Sequence, residues 1–317
     1  MNSTRPDNSA DAGKHTAVLP CIAGPTGAGK TAAALALSRK LGNAVIVNAD
    51  SRQVYADFPL ITAQPSAKEQ AECEHRLYGF LPCAEKLGAG EYARLSKDVI
   101  EESFAAGKQP ILVGGTGLYF KTLLEGIAPI PDIPDEVHAR WQAELASRGS
   151  PDLHAELSRH DPKYAARIHQ NDKQRVTRAL EVWQATGKTF SWWHTRPLSA
   201  LPYVLVKTGI GLPMPELEPI LQQRIELMLQ AGALEEARAA LAACPDPQAP
   251  GWSGIGCREL LDFLTGALSM EECRELWYRN TRAYAKRQYT WFRADKNISW
   301  FRPEQKDELA QHIAQKL

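Results

Sequence analysis

Residues 24–31 read Gly24-Pro25-Thr26-Gly27-Ala28-Gly29-Lys30-Thr31, a glycine-rich run that ends in Lys-Thr. It has the spacing GxxxxGK followed by Ser or Thr, in which glycines let backbone N–H groups turn toward a phosphate and the lysine adds positive charge. Average residue usage gives a chance match in a chain of 317 residues about once in a hundred cases. A glycine turn that precedes a helix without binding anything is the alternative. We predict a phosphate-binding loop, whose Thr31 hydroxyl is suited to bind Mg²⁺.

Segments with strand and helix character alternate around this loop. Apolar, β-branched runs predict strands, and alanine- and leucine-rich runs closed by glycine predict helices. Strands are predicted in this way at residues 17–23, 44–50 and 109–113, and helices at 31–42 and 95–106. The alternation predicts an α/β fold, a P-loop NTPase-like parallel sheet flanked by helices. Ligands of such sheets bind at the carboxyl ends of the strands.

A segment with three prolines, IAPIPDIP at residues 127–134, interrupts the alternation. The sequence after it is charged and helical to about Thr186, and a strand pattern returns at 201–210. The insertion therefore divides the core domain in sequence. The predicted domains are a disordered tail at 1–15, a core at 16–126 and 187–317, and a mainly helical insertion domain at 127–186.

Composition narrows the location and the partners. The 37 basic and 37 acidic residues balance, so only local clusters of charge can indicate a nucleic-acid partner. The six cysteines include no CxxC pair, which favours free thiols in a reducing compartment. The polar N-terminus lacks the apolar region of a secretory signal, and no apolar run is long enough to span a membrane. We expect a cytoplasmic protein.

Two further segments follow predicted strands and so should lie near the phosphate loop. Asp50 ends the second strand, which we expect directly beside the strand of the loop, and it could bind Mg²⁺ or act as a general base. A helix N-cap is the alternative role. The turn Gly114-Gly115-Thr116-Gly117 follows the 109–113 strand, and Thr116 could donate a hydrogen bond into the same site. An ordinary strand-to-helix turn explains these glycines equally well.

Residues 273–293 form a basic segment, with six basic residues against one acid. Four of the basic residues fall on one helical stripe, and aromatic residues lie between them. Such a face suits an RNA backbone and stacked bases, whereas the alternative is an amphipathic helix whose aromatics fill the core. The stripe consists of Arg279, Arg282, Lys286 and Arg293, and the aromatics are Trp277, Tyr284, Tyr289, Trp291 and Phe292.

A second basic segment lies in the predicted insertion. Arg175 and Arg178 are three residues apart, so they share one helix face, with Gln174 beside them. Arginine and glutamine bind phosphates and base edges well. The start of a solvated surface helix is an equally good explanation of this pattern.

Five motifs in this order resemble the tRNA dimethylallyltransferases, also called tRNA isopentenyltransferases. They are GPTGAGKT, NADSRQVY, LVGGTGLYFKTLLEG, RIHQNDKQRVTRALEV and KRQYTWFR, which together extend from about Cys21 to Arg293. The resemblance implies transfer of a dimethylallyl group from dimethylallyl diphosphate to N6 of adenine 37, beside the anticodon in the anticodon loop of tRNA. It implies that the phosphate loop holds a departing diphosphate. It also implies a Mg²⁺ cofactor, and we expect a monomer.

The resemblance also implies roles for individual residues. Asp50 matches the general base, Thr116 matches a threonine that contacts the target base, and Arg224 matches an arginine that holds the diphosphate together with residues 24–31. The implied catalytic residues are Asp50, Thr116 and Lys30. The implied tRNA contacts are Asp50, Ser51, Arg52, Gln53, Thr116, His138, Gln174, Arg175, Val176, Thr177, Arg178, Arg258, Lys286, Arg287, Gln288 and Arg293.

This chain departs from the family pattern at three places. Ser253 stands where the family often has an arginine, although Arg258 of the same segment is retained. His138 stands at a position that is basic in the family, so its charge would depend on pH. The chain ends at Leu317 without the zinc finger of eukaryotic members, so it resembles the bacterial type.

Three other functions are compatible with parts of the sequence. A small-molecule P-loop kinase that uses ATP explains the loop but not the insertion or the basic segment. An adenylate isopentenyltransferase acts on free nucleotides and does not need the arginines that face tRNA. A non-enzymatic RNA-binding protein has no use for Lys30 or Asp50 at the edge of the sheet.

Overall fold

The computed structural model describes residues 17–196 and 201–317. The chain divides into two compact units, one formed by Met1–Leu124 with Leu201–Leu317 and the other by Glu125–Ala200. The predicted tail at 1–15 lies outside the described residues.

The first unit is built on a parallel sheet of six strands in the order β3-β2-β4-β1-β5-β6. The predicted fold class is confirmed. One prediction is wrong, because β4 lies between β1 and β2, so the strand before Asp50 is not beside the strand of the phosphate loop. The strands are β1 Val18–Ala23, β2 Ala44–Asn48, β3 Glu74–Arg76, β4 Gln109–Gly114, β5 Val204–Ile210 and β6 Ser299–Phe301.

Helices cover the sheet and form the rest of the described chain. In chain order the α-helices are α1 Lys30–Leu41, α2 Ala67–Glu72, α3 Ala89–Ala105, α4 Gly117–Glu125, α5 Asp135–His160, α6 Pro162–Ala165, α7 Lys173–Thr186, α8 Phe190–Trp193, α9 Met214–Gln230, α10 Ala233–Ala243, α11 Cys257–Leu264, α12 Met270–Arg293 and α13 Lys306–Ala314. Two short 3₁₀ helices span Pro250–Ser253 and Pro303–Gln305. None of the described helices is long and apolar enough to cross a bilayer.

The two faces of the sheet bury alternate residues of the same strands, as the two-residue period of a strand requires. Ile22 and Ile111 pack with α1 and α13 on one face, and Leu19 and Leu112 pack with α3 and α4 on the other. All four side chains are fully buried. The central strands therefore form a rigid base for the loops at their carboxyl ends.

The second unit is helical, as predicted for the insertion, but it extends past residue 186. Its core joins Trp141 and Leu157 of α5 to Val176 and Leu180 of α7. Phe190 of α8 also packs on this unit, with its ring centroid 4.6 Å from that of Tyr164. The predicted boundary is therefore too early, because it cuts off an aromatic contact that belongs to this core.

Candidate active site

The phosphate loop connects β1 to α1 by a path that only glycine permits. Gly24 has φ 151°, and a Cβ on it would lie 2.2 Å from the carbonyl oxygen of Ile210 on β5. Gly29 is the N-cap of α1 with φ 89°, and no side chain caps the helix. The N–H groups of the first turn of α1 therefore remain available for an anion at the positive end of the helix.

Lys30 lies in the loop without an anionic partner in direct contact. Its Nζ donates a hydrogen bond to the carbonyl oxygen of Pro25 at 2.9 Å. Although part of the residue is exposed, burial of the ammonium lowers the pKa of Lys30 from 10.5 to about 8, the field of Asp50 opposes this shift, and that of Arg224 adds to it. Burial likewise lowers the pKa of Arg224. Two poorly solvated cations beside helix N–H groups form a site that favours a highly charged anion.

Asp50 is fixed by a buried asparagine that the sequence did not single out. Asn48, the last residue of β2, is fully buried; its Oδ1 accepts from the Asp50 N–H at 2.8 Å, and its Nδ2 donates to the Asp50 carbonyl at 3.0 Å. The Asp50 Oδ1 accepts from the Arg52 N–H at 2.9 Å. Asp50 therefore lies in a turn just past the end of the strand and caps no helix. These contacts hold the Asp50 carboxylate in one orientation, as a general base requires.

Thr116 is held against the Asp50 segment by backbone and side-chain contacts. Its N–H donates to the Ala49 carbonyl at 3.1 Å, and its Oγ1 accepts from the Ser51 N–H at 2.9 Å. The same hydroxyl lies 3.2 Å from the Ser51 Oγ, to which it donates. Beside Thr116, burial raises the pKa of Tyr284 to about 12, so its phenol stays protonated and can donate. The predicted neighbourhood of Asp50 and Thr116 is thus present in the structure.

A cavity of about 250 Å³ in the first unit is lined by residues of the phosphate loop, the Asp50 turn, α9 and α12. Thr26 of the loop, Asp50 and Arg224 line its polar side, and Arg52 and Arg287 also reach it. Much of the remaining lining is apolar, and therefore one ligand can place an anionic group and a hydrocarbon group in the same cavity. The apolar wall consists of Ile61, Leu221, Ile225, Met228, Ile255 and Trp277.

The segment after Asp50 contacts the 3₁₀ helix that contains Ser253. Arg52 Nη1 donates to the Ser253 Oγ at 2.9 Å, so the serine that departs from the family pattern holds a neighbouring arginine at the cavity. Arg258 instead pairs with Asp262 at 3.0 Å. The Gln53 amide donates to the carbonyls of Thr62 and Ala63, so it supports its own loop.

Helix α12 contains the predicted basic segment. Lys286, Arg287 and Arg293 are exposed, as are Arg279 and Arg282 of the stripe; we call these five residues the basic face. Arg282 pairs with Glu218 at 2.6 Å. The alternative holds for some aromatics, because Trp277 and Phe292 are buried in the core, whereas Trp291 is 47% exposed.

Gln288 does not belong to this exposed face, because its side chain is buried; its contact with tRNA stays a prediction. Only 4% of the residue is exposed. Its Oε1 accepts from the Thr26 N–H at 2.9 Å, and its Nε2 donates to the Gly115 carbonyl at 2.8 Å. The glutamine faces the core because the register of α12 directs it toward the loops, while Lys286 faces solvent and the exposed Arg287 lies at the cavity.

The second unit presents its own group of predicted residues. Gln174, Arg175 and Arg178 are exposed on α7, whereas the side chains of Val176 and Thr177 are buried. The His138 Nδ1 lies 2.7 Å from the carboxylate of Glu181, which is itself buried. Glu181 also lies 3.5 Å from Arg178, so one buried acid orients both basic groups.

The donor set near the loop suits a Mg²⁺ ion that arrives with a phosphate. The described residues contain no group of three or more His, Cys, Asp or Glu side chains that could hold a metal by themselves. Mg²⁺ usually keeps several waters and takes substrate phosphate oxygens with one or two protein ligands. Thr31, in the first turn of α1, can supply one such hydroxyl.

The parallel sheet, the glycine-rich loop and the helix that starts at Lys30 define a phosphate-binding α/β protein of the P-loop class. The model of the IPP transferase family matches residues 53–295. The chain belongs to the IPP transferase family.

Similar proteins agree with this membership. A relative from Nitratidesulfovibrio vulgaris (strain Miyazaki F) named tRNA dimethylallyltransferase is 56% identical, over 92% of this chain and 90% of its own. Another of the same name from Lawsonia intracellularis is 44% identical, over 91% of this chain and 95% of its own. The crystal structure of the tRNA isopentenylpyrophosphate transferase from Bacillus halodurans has a TM-score of 0.69 at 33% identity, with 95% and 96% of the chains covered. A eukaryotic dimethylallyltransferase acting on tRNA has a TM-score of 0.80 at 28% identity, with 94% and 78% covered.

Proposed function

We propose that this protein transfers a dimethylallyl group from dimethylallyl diphosphate to N6 of adenine 37 in tRNA and releases diphosphate. The observation that carries the proposal is the cavity that joins the phosphate loop, Asp50 and an apolar wall. A prenyl diphosphate has one highly charged end and one branched hydrocarbon end, which match the two sides of this cavity. Relatives that cover most of the chain are named tRNA dimethylallyltransferase, which supports the transfer of a dimethylallyl group to tRNA.

The phosphate side serves the leaving group. As the bond between C1 of the prenyl group and the bridging oxygen breaks, negative charge gathers on the diphosphate. Lys30, Arg224 and the N–H groups at the start of α1 stabilise that charge from fixed positions, without the cost of reorganising water. Diphosphate contact also restores the full charge of Lys30, since an adjacent anion raises the pKa that burial has lowered.

The carboxylate side serves the nucleophile. The adenine leaves its stack so that its amino group can reach C1 from the side opposite the leaving oxygen. Asp50 accepts the proton that N6 loses as the new C–N bond forms. Thr116 and the protonated Tyr284 border this position and can bind the edge of the adenine.

The basic face of α12 and the exposed residues of α7 supply the contacts with the anticodon loop. Lys286 and Arg293 bind RNA phosphates, and Trp291 offers an exposed ring for stacking. His138, Gln174, Arg175 and Arg178 form a second set on their own unit. We further propose that the protein acts in the cytoplasm as a monomer.

Mg²⁺ would enter this site bound to the diphosphate, with the Thr31 hydroxyl as its protein ligand. When bound it neutralises part of the diphosphate charge. Thr31 is in the first turn of α1, which brings this hydroxyl to the N–H groups proposed to hold the diphosphate.

Labelled prenyl diphosphate distinguishes this function from its rivals. Radiolabelled dimethylallyl diphosphate and Mg²⁺ are incubated with a tRNA transcript, with the same transcript carrying guanosine at position 37, or with AMP. We expect label in the first acceptor alone. Label in AMP alone indicates an adenylate isopentenyltransferase, and equal label in both transcripts rejects the target base. Label in no acceptor, with ATP consumed in a parallel assay, indicates a kinase.

A further inference from the structure

Gln288 connects two loops that are far apart in sequence and meet at the candidate active site. It lies 262 residues from Thr26 of the phosphate loop and 173 from Gly115, yet its amide bonds to both. Both bonds have ordinary lengths of 2.9 and 2.8 Å. Because the residue is nearly fully buried, an amide that lost either partner would incur the cost of an unsatisfied buried polar group.

The two partners fix the orientation of this amide. The Thr26 N–H can only donate and the Gly115 carbonyl can only accept, so the oxygen of Gln288 must face the phosphate loop and its nitrogen the Gly115 turn. The Gln288 amide packs closely against Gly115. A Cβ on Gly115 would lie 2.1 Å from Gln288 Nε2 and 3.3 Å from Asp50 Oδ2, so the amide and the carboxylate border the same glycine.

We infer that Gln288 is a positioning residue, which sets the separation between the phosphate loop and the Asp50–Thr116 edge of the sheet. The inference rests on the proposed function, in which those two sides hold the leaving group and the base. An in-line transfer depends on that separation, because a displacement of about 1 Å can lower a rate about 100-fold. Helix α12 thus carries the basic face proposed to bind RNA and, through the buried side chain of Gln288, also fixes the two loops that hold the reacting groups.

The first test removes both hydrogen bonds while it keeps the size of the side chain. We expect Gln288→Met to lower kcat by about 10- to 100-fold, with a smaller rise of about three- to fivefold in KM for dimethylallyl diphosphate. Thr290→Ala is the control, since Thr290 is exposed on the same helix and its hydroxyl bonds only within the helix, to the Lys286 carbonyl. Loss of less than twofold in kcat for Gln288→Met, or equal losses in both variants, overturns the inference.

The second test separates positioning from a general effect on packing. In Gln288→Glu an ionised carboxylate can accept from Thr26 but cannot donate to Gly115, whereas a protonated carboxyl can do both. Burial at this position should raise the pKa of the introduced carboxyl toward the neutral range. The rate of this variant relative to wild type should therefore rise as pH falls from about 8 to about 6, while the relative rate of Gln288→Met stays constant. Ratios that follow the same course with pH in both variants contradict a positioning role.

A binding measurement keeps this inference apart from the proposed function. Calorimetry with inorganic diphosphate and Mg²⁺ reports on the phosphate loop without any prenyl transfer. If wild type labels no tRNA but Gln288→Met binds diphosphate at least about threefold more weakly than Thr290→Ala, the proposed function fails and the link to the loop stands. If wild type transfers the prenyl group normally and kcat is unchanged in Gln288→Met, the proposed function stands and the positioning role of Gln288 fails.

Discussion

The loop edge of the sheet and the basic face of α12 both belong to the first unit, but they are built in opposite ways. At the loop edge, Asp50, Lys30 and Thr116 are held by backbone and buried partners. On the basic face, Lys286, Arg287 and Arg293 are exposed, and each contributes a charge that its neighbours partly duplicate. Under the proposed function, chemistry would therefore depend on single fixed groups, whereas affinity for RNA would be distributed over many.

The strongest way to break this comparison is to remove the proposed base. We expect Asp50→Ala to lower turnover about 10²- to 10⁴-fold, because a positioned general base contributes that much, while tRNA affinity changes little. Single-turnover labelling and filter binding measure the two quantities. Asp98→Ala, on the exposed side of α3, is the matched control. Near-normal turnover in Asp50→Ala would reject the base.

A second prediction concerns the backbone that builds the loop edge. Gly24→Ala places a Cβ against the Ile210 carbonyl at a positive φ, so we expect a loss of about 2–5 kcal/mol in the free energy of unfolding. Gly42→Ala also has a positive φ, but no atom lies within 4 Å of the added Cβ, and its cost should be about 1 kcal/mol. Denaturant titration compares the two variants. Equal losses would mean that the contact with β5 does not constrain the loop.

The charge of Lys30 provides a third test, by pH. Its lowered pKa of about 8 means that the free protein loses the Lys30 proton above that pH, whereas bound diphosphate favours the charged form. Diphosphate binding should therefore take up a proton, and affinity should fall by about fivefold between pH 8 and 9. Lys30→Met should bind weakly without this fall. A wild-type affinity that stays constant to pH 9.5 would contradict the prediction.

The smallest effects should come from the basic face. We expect Lys286→Ala and Arg293→Ala each to weaken tRNA binding a few-fold and to reduce the slope of log K against log salt by about 1, with single-turnover rates unchanged at saturating tRNA. Lys97→Ala, an exposed lysine on α3, is the control. If one of these residues lowered the rate as Asp50→Ala does, the division between the two regions would be wrong.

The parts of the fold that could be predicted from the sequence are those whose conformation depends on neighbouring residues. The glycines and lysine of residues 24–31 specify their own conformation, and Gly42 ends α1 with φ 73° as its type predicts. The short strands β3 and β6 escaped prediction because three residues carry no periodicity, and β3, Glu-His-Arg, is polar. The place of β4 between β1 and β2 depends on pairing between distant segments, which no local pattern encodes.

The same limit applies to the site. Asp50 and Thr116 were predictable because each follows a strand at the edge where ligands bind. The family resemblance implies a contact with RNA for Gln288, and only the structure shows that its side chain turns inward to partners on distant loops. The sequence pattern places Asn48 in a strand and does not indicate that its amide holds the Asp50 turn. Roles that depend on burial became visible only in three dimensions.

The order of strands in the sheet has a consequence for synthesis on the ribosome. β1 pairs with β5 along all six of its residues, from Val18 to Ala23, but β5 is translated about 180 residues later, after the whole second unit. Until then the nascent chain exposes an apolar strand with one unpaired side, which is a site for aggregation. The phosphate loop therefore cannot reach its final form before Ile210, whose carbonyl contacts Gly24, has been synthesised.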